Sequence, residues 1–159
     1  MNDLSKSARR FRERMREAGH EIDVLALSSS TRTAKEAADT IGCSVAQIAK
    51  SIVFRTAGDD RPVIVVASGT NRVSVDKVSA LVGRDLEGAN GSFVKKTIGY
   101  AIGGVPPAGH DGDVVILLDR DLTAFDEVWA AAGTPFAVFR VEPGDLPALT
   151  GSDWADIAE

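Results

Sequence analysis

The fold of this chain is decided by two neighbouring segments, Ser51-Ile52-Val53-Phe54-Arg55-Thr56 and Pro62-Val63-Ile64-Val65-Val66-Ala67. Both are rich in β-branched and aromatic residues, which are typical of strands. Gly58, Asp59 and Asp60 lie between them and are typical of a tight turn. The two segments therefore predict a β-hairpin.

Helical and strand-like patterns alternate on both sides of this hairpin. Near the N-terminus, residues 3–18 place Leu4, Ala8, Phe11 and Met15 at spacings of four, three and four, which predicts an amphipathic helix. Further strands are predicted at 22–27, 84–86, 114–118 and 136–141, and further helices at 34–41, 45–50, 74 or 76 to 81, 92–96, 124–132 and 144–149.

A hairpin combined with helix-linked strands predicts a mixed α/β (α+β) fold. We expect a mixed, partly curled sheet with helices packed outside it. The 159 residues are expected to form one domain, 1–159, with a basic helix in segment 1–20.

The net charge of −5 is unevenly distributed, because residues 1–20 carry a local charge of +3 and the rest of the chain −8. A broad basic face, as in proteins that bind nucleic acid without regard to sequence, is therefore excluded. The arginines of the first helix either form a solvated face or contact an RNA backbone locally.

Location and cofactors are constrained by what the sequence lacks. No apolar run approaches the ~20 residues of a membrane span, and the charged N-terminus has no secretory apolar region. These features predict a cytoplasmic protein that does not bind membranes.

Two histidines and the lone Cys43 form no metal-binding pattern, and no dinucleotide or phosphate-binding glycine motif is present. We therefore predict neither a metal nor a cofactor.

The segment Gly99–His110 breaks every regular pattern, and long unpatterned loops in compact domains tend to be functional. Pro106 and Pro107 have no N–H, so the free amides are confined to 103–105 and 108–110. A stiff rim with donors on two sides suits a carbonyl or oxyanion. A rigid surface turn accounts for the same residues equally well.

Four further side chains are candidates for the same site. Lys50 lies between apolar neighbours at a predicted helix-to-strand junction, where it either serves a site or interacts with a helix C-terminus. His110 is either a substrate contact, a proton carrier or incidental. Ser68 and Thr70 follow the second hairpin strand and are weaker candidates for lining the cleft.

Two segments together carry a family resemblance: 46–54, Ala-Gln-Ile-Ala-Lys-Ser-Ile-Val-Phe, and 103–110, Gly-Gly-Val-Pro-Pro-Ala-Gly-His. The chain resembles, from about residue 20 to 158, the YbaK/ProX family, stand-alone relatives of the editing domain of bacterial prolyl-tRNA synthetases. This resemblance implies a curled, barrel-like mixed sheet and hydrolysis of mischarged aminoacyl-tRNA in trans.

The resemblance also implies roles for individual residues. The lysine typical of the family falls on Lys50, which would position the substrate, and its Gly-x-x-x-Pro loop falls on Gly103–Pro107. Gly103 would hold the aminoacyl carbonyl through backbone groups while water attacks with help from the ribose hydroxyl. The predicted substrate contacts are Ser51, Ser68, Thr70, Gly104, Val105, Pro106, Pro107, Gly109 and His110.

The expected partner is the 3′ end of an aminoacyl-tRNA, together with an aminoacyl-tRNA synthetase. Ser51 stands where some relatives have asparagine, and the loop lacks the Ser-Pro-Leu-Gly-Gln of cysteine-removing members. A small aliphatic residue such as alanine or 2-aminobutyrate is thus favoured over cysteine. A catalytically silent tRNA-binding or synthetase-regulating module, and a hydrolase of small esters, remain as alternatives.

Overall fold

In a computed structural model of the chain, the structure describes residues 4–159. The first residue of the predicted helix 3–18, and the start of segment 1–20, lie outside the described residues. The helices are α1 (Lys6–Glu17), α2 (Ala34–Ile41), α3 (Val75–Val82), α4 (Gly91–Ile98) and α5 (Leu146–Thr150). The strands are β1 (Val24–Ala26), β2 (Ile48–Thr56), β3 (Pro62–Ser68), β4 (Leu86–Gly88), β5 (Val115–Asp119), β6 (Val128–Ala131), β7 (Ala137–Val141) and β8 (Trp154–Ala155).

The predicted hairpin is confirmed and forms the centre of the sheet. β2 and β3 pair antiparallel from Ala49 opposite Ser68 to Arg55 opposite Pro62, and β5 pairs parallel to the far edge of β3. The core residues of β3 are buried on both faces of the sheet. Its unbroken apolar run follows from this position, since a strand covered on both sides has no solvent face.

Both parallel and antiparallel pairs occur, in the order β1-β7-β6-β2-β3-β5-β8, with β4 beside β2. The predicted mixed fold is thus confirmed. Along the residues that the structure describes, the sheet ends at β1 and β8 and does not close into a ring. No helix within 4–159 is both long and apolar enough to cross a membrane.

The edge of β2 opposite β3 is shared by two strands that leave an opening between them. β6 pairs with Ile48 and Ala49 at one end, and β4 pairs with Phe54–Thr56 at the other. No strand of the described chain pairs with Lys50–Val53 on this edge. The sheet therefore has a gap of four residues beside its central hairpin.

The helix predicted at 45–50 is wrong beyond its first turn. Ser44 and Gln47 do form the expected capping box, but the helix is one 3₁₀ turn, Val45–Gln47, and β2 begins at Ile48. Pairing with β3 and β6 holds this segment extended, and such tertiary pairing outweighs local propensity. Lys50 is consequently a strand residue, and the interpretation based on a helix C-terminus is wrong.

The helix predicted at 124–132 is also wrong. Arg120–Ala124 forms a 3₁₀ turn and β6 follows. Val128 and Ala130 are buried whereas Trp129 and Ala131 are half-buried, which is the alternation of a strand. The run of alanines at 130–132 suits either structure locally, and pairing with β7 and β2 decides between them.

Candidate functional site

A cavity of about 260 Å³ opens at the gap in the sheet. Residues from α2 and the loop before it, from β2, β6 and β7, and from loop 99–111 line it. Its wall is largely apolar and includes Ala37, Ile41, Ile48, Trp129, Ala130 and Val138. Concave, mostly apolar pockets with a few polar groups are typical of small-molecule sites.

Lys50 is the cationic group that β2 contributes to this cavity. Its Nζ donates to the carbonyl of Gly69 at 3.3 Å, which uses one of its three donors. Burial lowers the pKa of Lys50, and the negative charge of Asp119 partly offsets that shift. The ammonium is thus held at the cavity with donors to spare for a ligand oxygen.

The Gly69 carbonyl, which accepts from Lys50, belongs to a turn that the buried carboxylate of Asp119 holds in place. Asp119 Oδ2 accepts from the Ser68 amide at 2.9 Å and from Asn71 Nδ2 at 2.8 Å. A Cβ on Gly69 would meet the Val45 carbonyl at 2.2 Å, so only glycine fits there. Asp119 was not among the predicted site residues; the available signal was its position directly after the apolar strand 114–118.

Ser51 also lines the cavity, and its hydroxyl is buried without a hydrogen-bond partner among the described residues. Buried polar atoms in native proteins are usually paired. An orphaned hydroxyl at a cavity wall is therefore available to a ligand.

Loop 99–111 supplies Gly103 and Val105 to the cavity. Neither amide has an acceptor within the described chain, whereas the Gly104 amide donates to the Ala101 carbonyl at 3.0 Å. Gly103 has a φ of +91°, in the region that favours glycine. Of the three amides expected to be free at 103–105, two are thus left unpaired.

Gly104 fixes the loop against the β6–β7 turn. Its carbonyl accepts from the Gly133 amide at 2.9 Å, and an added Cβ would lie 2.5 Å from Thr134 Cα. Gly104 is buried against backbone and does not line the cavity, so its observed contacts are structural. The substrate contact expected there stays a prediction.

We call 103–105 the cavity part of the loop, and Gly99, Tyr100 and 106–111 its far part. The far part lies against α1. Arg14 donates to the Gly109 carbonyl at 2.8 Å and to Asp111 Oδ1 at 2.7 Å, and Tyr100 Oη also donates to the Gly109 carbonyl, at 2.9 Å. Arg10 donates to the Gly99 carbonyl and stacks over the Tyr100 ring at 4.5 Å. Arg10 and Arg14 thus do not form a free solvated face, because they hold the loop.

The expected contacts at Pro106, Pro107, Gly109 and His110 fall in this far part and do not line the cavity. Pro106 and Pro107 are buried, and a Cβ added to Gly109 would lie 3.2 Å from side-chain atoms of both Phe11 and Met15. His110 Nε2 lies 2.6 Å from the Pro106 carbonyl, and burial lowers the pKa of the imidazole. The amides of 108–110 also have no acceptor among the described residues, but of the two sides of the predicted rim only 103–105 contributes residues to the cavity. The substrate contacts expected at 106–110 stay predictions.

Ser68 and Thr70 do not line the cavity either. The Ser68 hydroxyl donates to the Ala46 carbonyl at 2.7 Å, and Thr70 is exposed in the turn. Ser68 helps to fix the turn that holds Lys50. Within residues 4–159, no group of three or more His, Cys, Asp or Glu side chains is placed to hold a metal ion.

Arg32 and Trp129 are among the cavity residues that were not predicted from the sequence. Arg32, directly before the cap of α2, lines the cavity next to Gly103. Trp129 lines the opposite wall but lay in the wrongly predicted helix. The Thr33–Glu36 capping pattern was the only local signal that placed Arg32 at the start of α2.

Known proteins share this architecture. The family model of the aminoacyl-tRNA editing domain matches residues 28–149. The uncharacterized protein YwhH of Bacillus subtilis (strain 168) is 32% identical over 140 residues, 87% of this chain and 88% of that protein. A proline–tRNA ligase of Limosilactobacillus fermentum is 30% identical over 125 residues, 76% of this chain but only 22% of the ligase. A solved structure, proposed to be a trans-editing enzyme for prolyl-tRNA synthetase, has a TM-score of 0.92 and 45% identity over 99% of both chains.

Proposed function

Because the chain belongs to the aminoacyl-tRNA editing domain family, we propose that it is a trans-editing aminoacyl-tRNA deacylase, a hydrolase of the ester in mischarged tRNA. One observation carries this proposal. Lys50, Ser51 and the Gly103 region, whose amides at Gly103 and Val105 are unpaired, line a single cavity. The similarity to a ligase and to a structure linked to prolyl-tRNA synthetase supports tRNA-Pro or a related tRNA as the carrier.

The proposed reaction uses water as the nucleophile. Water adds to the ester carbonyl while the amides of Gly103 and Val105 stabilise the developing oxyanion, a contribution of roughly 2.7–4 kcal/mol per donor. The bond between the acyl carbon and the ribose oxygen then breaks, and the ribose oxygen takes the proton. The products are the free amino acid and the uncharged tRNA.

Lys50 is proposed to hold the 3′ end of the substrate, with the spare donors of its ammonium directed at ribose or phosphate oxygens. The substrate's neighbouring ribose hydroxyl helps to orient the water, as the family resemblance implies. No side chain of the protein forms a covalent intermediate in this scheme.

The apolar wall favours a small aliphatic aminoacyl group. Ile48, Ala130 and Val138 offer no charge and no hydrogen-bonding side chain to a substrate side chain. An apolar pocket separates substrates that differ by one methylene by only about 1–3 kcal/mol, so exclusion by size must do most of the selection. Alanine and 2-aminobutyrate are the proposed residues, ahead of cysteine.

The test is ester loss from a panel of mischarged tRNAs, measured against the uncatalysed rate in the same buffer. We expect the wild type to release small aliphatic residues, and Lys50→Ala and Lys50→Met to lose about 100-fold or more in rate. Lys50→Arg keeps the positive charge and should retain part of the activity. Binding of charged tRNA without ester loss by the wild type would contradict the proposal and favour a silent binding module.

A further inference from the structure

A second concave surface lies between α1 and α4. We call it the basic groove, and its lining consists of Lys6, Ser7, Arg9, Arg10, Arg12, Glu13 and Lys95. Five of these side chains are cationic and one is acidic. This is a local excess of positive charge in a chain of net charge −5.

No ion pair neutralises the cations of the basic groove, whereas several other surface arginines are paired. Arg55, Arg84 and Arg140 each lie within 4 Å of a carboxylate. Within the described chain, none of the five groove cations is part of an ion pair. The groove's single acid, Glu13, faces Arg16 at 3.3 Å, so its charge is partly neutralised from outside the groove.

The chemistry of the basic groove fits phosphates better than a protein surface. Protein interfaces depend on buried aromatic or apolar anchors, and this groove is lined by none. Lysine and arginine side chains are the usual contacts to the phosphates of nucleic acids. Four cationic side chains on α1 and one on α4 suit the regularly spaced phosphates of a nucleic-acid backbone.

Arg10 joins the groove to the candidate active site. Its guanidinium lines the groove, donates to the Gly99 carbonyl and stacks on Tyr100. Gly99 begins the loop that reaches the cavity at Gly103 and Val105. Arg10 therefore connects the groove to the start of the loop that lines the cavity.

We infer that the basic groove binds the sugar–phosphate backbone of the tRNA whose aminoacylated 3′ end enters the cavity. This inference rests on the proposed deacylase function for the identity of the RNA. It assigns substrate binding to α1, which precedes the segment matched by the family, residues 28–149.

The experiment compares two triple variants that remove the same charge. Lys6→Ala/Arg9→Ala/Lys95→Ala removes exposed cations of the groove and spares Arg10, which holds the loop. Arg61→Ala/Arg72→Ala/Arg84→Ala removes three exposed cations from the β2–β3 turn and from either side of α3. Each protein is assayed on a mischarged tRNA and on the same amino acid esterified to a CCA trinucleotide, over a range of salt.

We expect the groove variant to raise KM for mischarged tRNA by about tenfold. The slope of log affinity against log salt concentration should become less steep by about 2 to 3. Its kcat and its hydrolysis of the short ester should match the wild type, and the control variant should match throughout. Identical KM and salt slope in the groove variant and the wild type would overturn the inference.

Failure of the proposed function is a separate outcome. If the wild type hydrolyses no mischarged tRNA, binding of uncharged tRNA is measured instead, and loss of that binding in the groove variant alone supports the groove. If the groove variant instead loses only its binding to prolyl-tRNA synthetase, the groove binds protein and the inference is wrong. Circular dichroism spectra of all variants are compared with that of the wild type to check that each variant is folded.

Discussion

The two parts of loop 99–111 are fixed in different ways. In the far part, side-chain donors hold the carbonyls: Arg10 binds that of Gly99, and Arg14 and Tyr100 bind that of Gly109. In the cavity part, backbone contacts at Gly104 hold the chain, and the amides of Gly103 and Val105 have no acceptor within the described residues. The far part is thus held by side-chain donors, whereas the cavity part places two unpaired amides in residues that line the cavity.

The largest effect is expected for Gly104→Ala in the cavity part. The new methyl group would lie 2.5 Å from Thr134 Cα, and neither backbone can move freely. We expect a loss of about 1–3 kcal/mol in unfolding free energy. Displacing the neighbouring amides by about 1 Å should lower kcat about 100-fold.

Chemical denaturation and deacylation kinetics measure these two effects. Gly144→Ala is the matched control, since its new Cβ meets nothing within 4 Å and it should behave as the wild type. A fully active Gly104→Ala would show that the cavity part does not need its observed position.

A smaller effect is expected for Arg14→Ala, which removes an attachment of the far part. The Gly109 carbonyl and Asp111 lose a charged donor, and we expect about 1 kcal/mol less stability. Because Gly104 still holds the cavity part, kcat should fall only about tenfold or less, with KM for a short aminoacyl ester unchanged.

Arg16→Ala on the same helix is the control for this variant, because Arg16 pairs only with exposed carboxylates. Asp111→Asn keeps the bond from Arg14 to Gly109 and should fall between the two. Equal losses of kcat in Arg14→Ala and Gly104→Ala would contradict the division of the loop.

Ser51→Ala tests whether unpaired groups at the cavity serve a ligand. Its hydroxyl has no partner to lose within the described chain, so stability should stay within about 0.5 kcal/mol of the wild type or rise slightly. Loss of one neutral hydrogen bond to the substrate should lower kcat/KM about threefold to tenfold.

The exposed Ser92→Ala serves as the control for this variant. Unchanged kinetics in Ser51→Ala would mean that the substrate does not use this hydroxyl, and would weaken the link between unpaired groups and binding.

The smallest effect is a pH dependence of stability from His110 in the far part. Burial, together with the charge of Arg14, lowers the pKa of the folded imidazole, although the Pro106 carbonyl and Asp111 act in the opposite direction. Above about pH 6.5 the imidazole is neutral in both states and its contribution is complete. As the pH falls from there through the folded pKa, the unfolded state binds the proton first and stability declines by at most about 1.4 kcal/mol per pH unit.

Denaturation curves between pH 7.5 and pH 4.5, run in roughly 0.5-unit steps across this titration range, measure the effect. His110→Asn should lose this part of the slope while His20→Asn keeps it. A slope that is the same in all three proteins would show that His110 is not held neutral by the fold.

The sequence predicted those features that depend on near neighbours. α2 runs over the predicted residues 34–41 because Thr33 caps its start and Gly42, at a φ of +87°, ends it. The hairpin follows in the same way from β-rich runs around a glycine turn. Lys50 and Gly103 were placed in the site through the family resemblance, because their chain positions alone fit a structural role equally well.

Features that depend on distant partners escaped prediction. β6 is a strand because β2 and β7 pair with it, and Lys50 is extended because β3 lies beside it. The bonds from Arg10 and Arg14 join residues 89 and 95 positions apart, which no local pattern encodes. The packing of α1 against Gly109 and Asp111 is a further feature of this kind. The ligand contact expected at His110 stays a prediction.

The opening beside β2 also bears on whether a foreign strand can pair with the sheet. A bare strand edge is a template on which a foreign strand can pair and start aggregation. Here β6 and β4 leave only Lys50–Val53 free, a window of about 13 Å at roughly 3.3 Å per residue. Because typical strands need about five or six residues, the window is too short for an invading strand yet long enough for an aminoacyl end. The two flanking strands thus leave backbone groups open on β2 while limiting strand pairing at this edge.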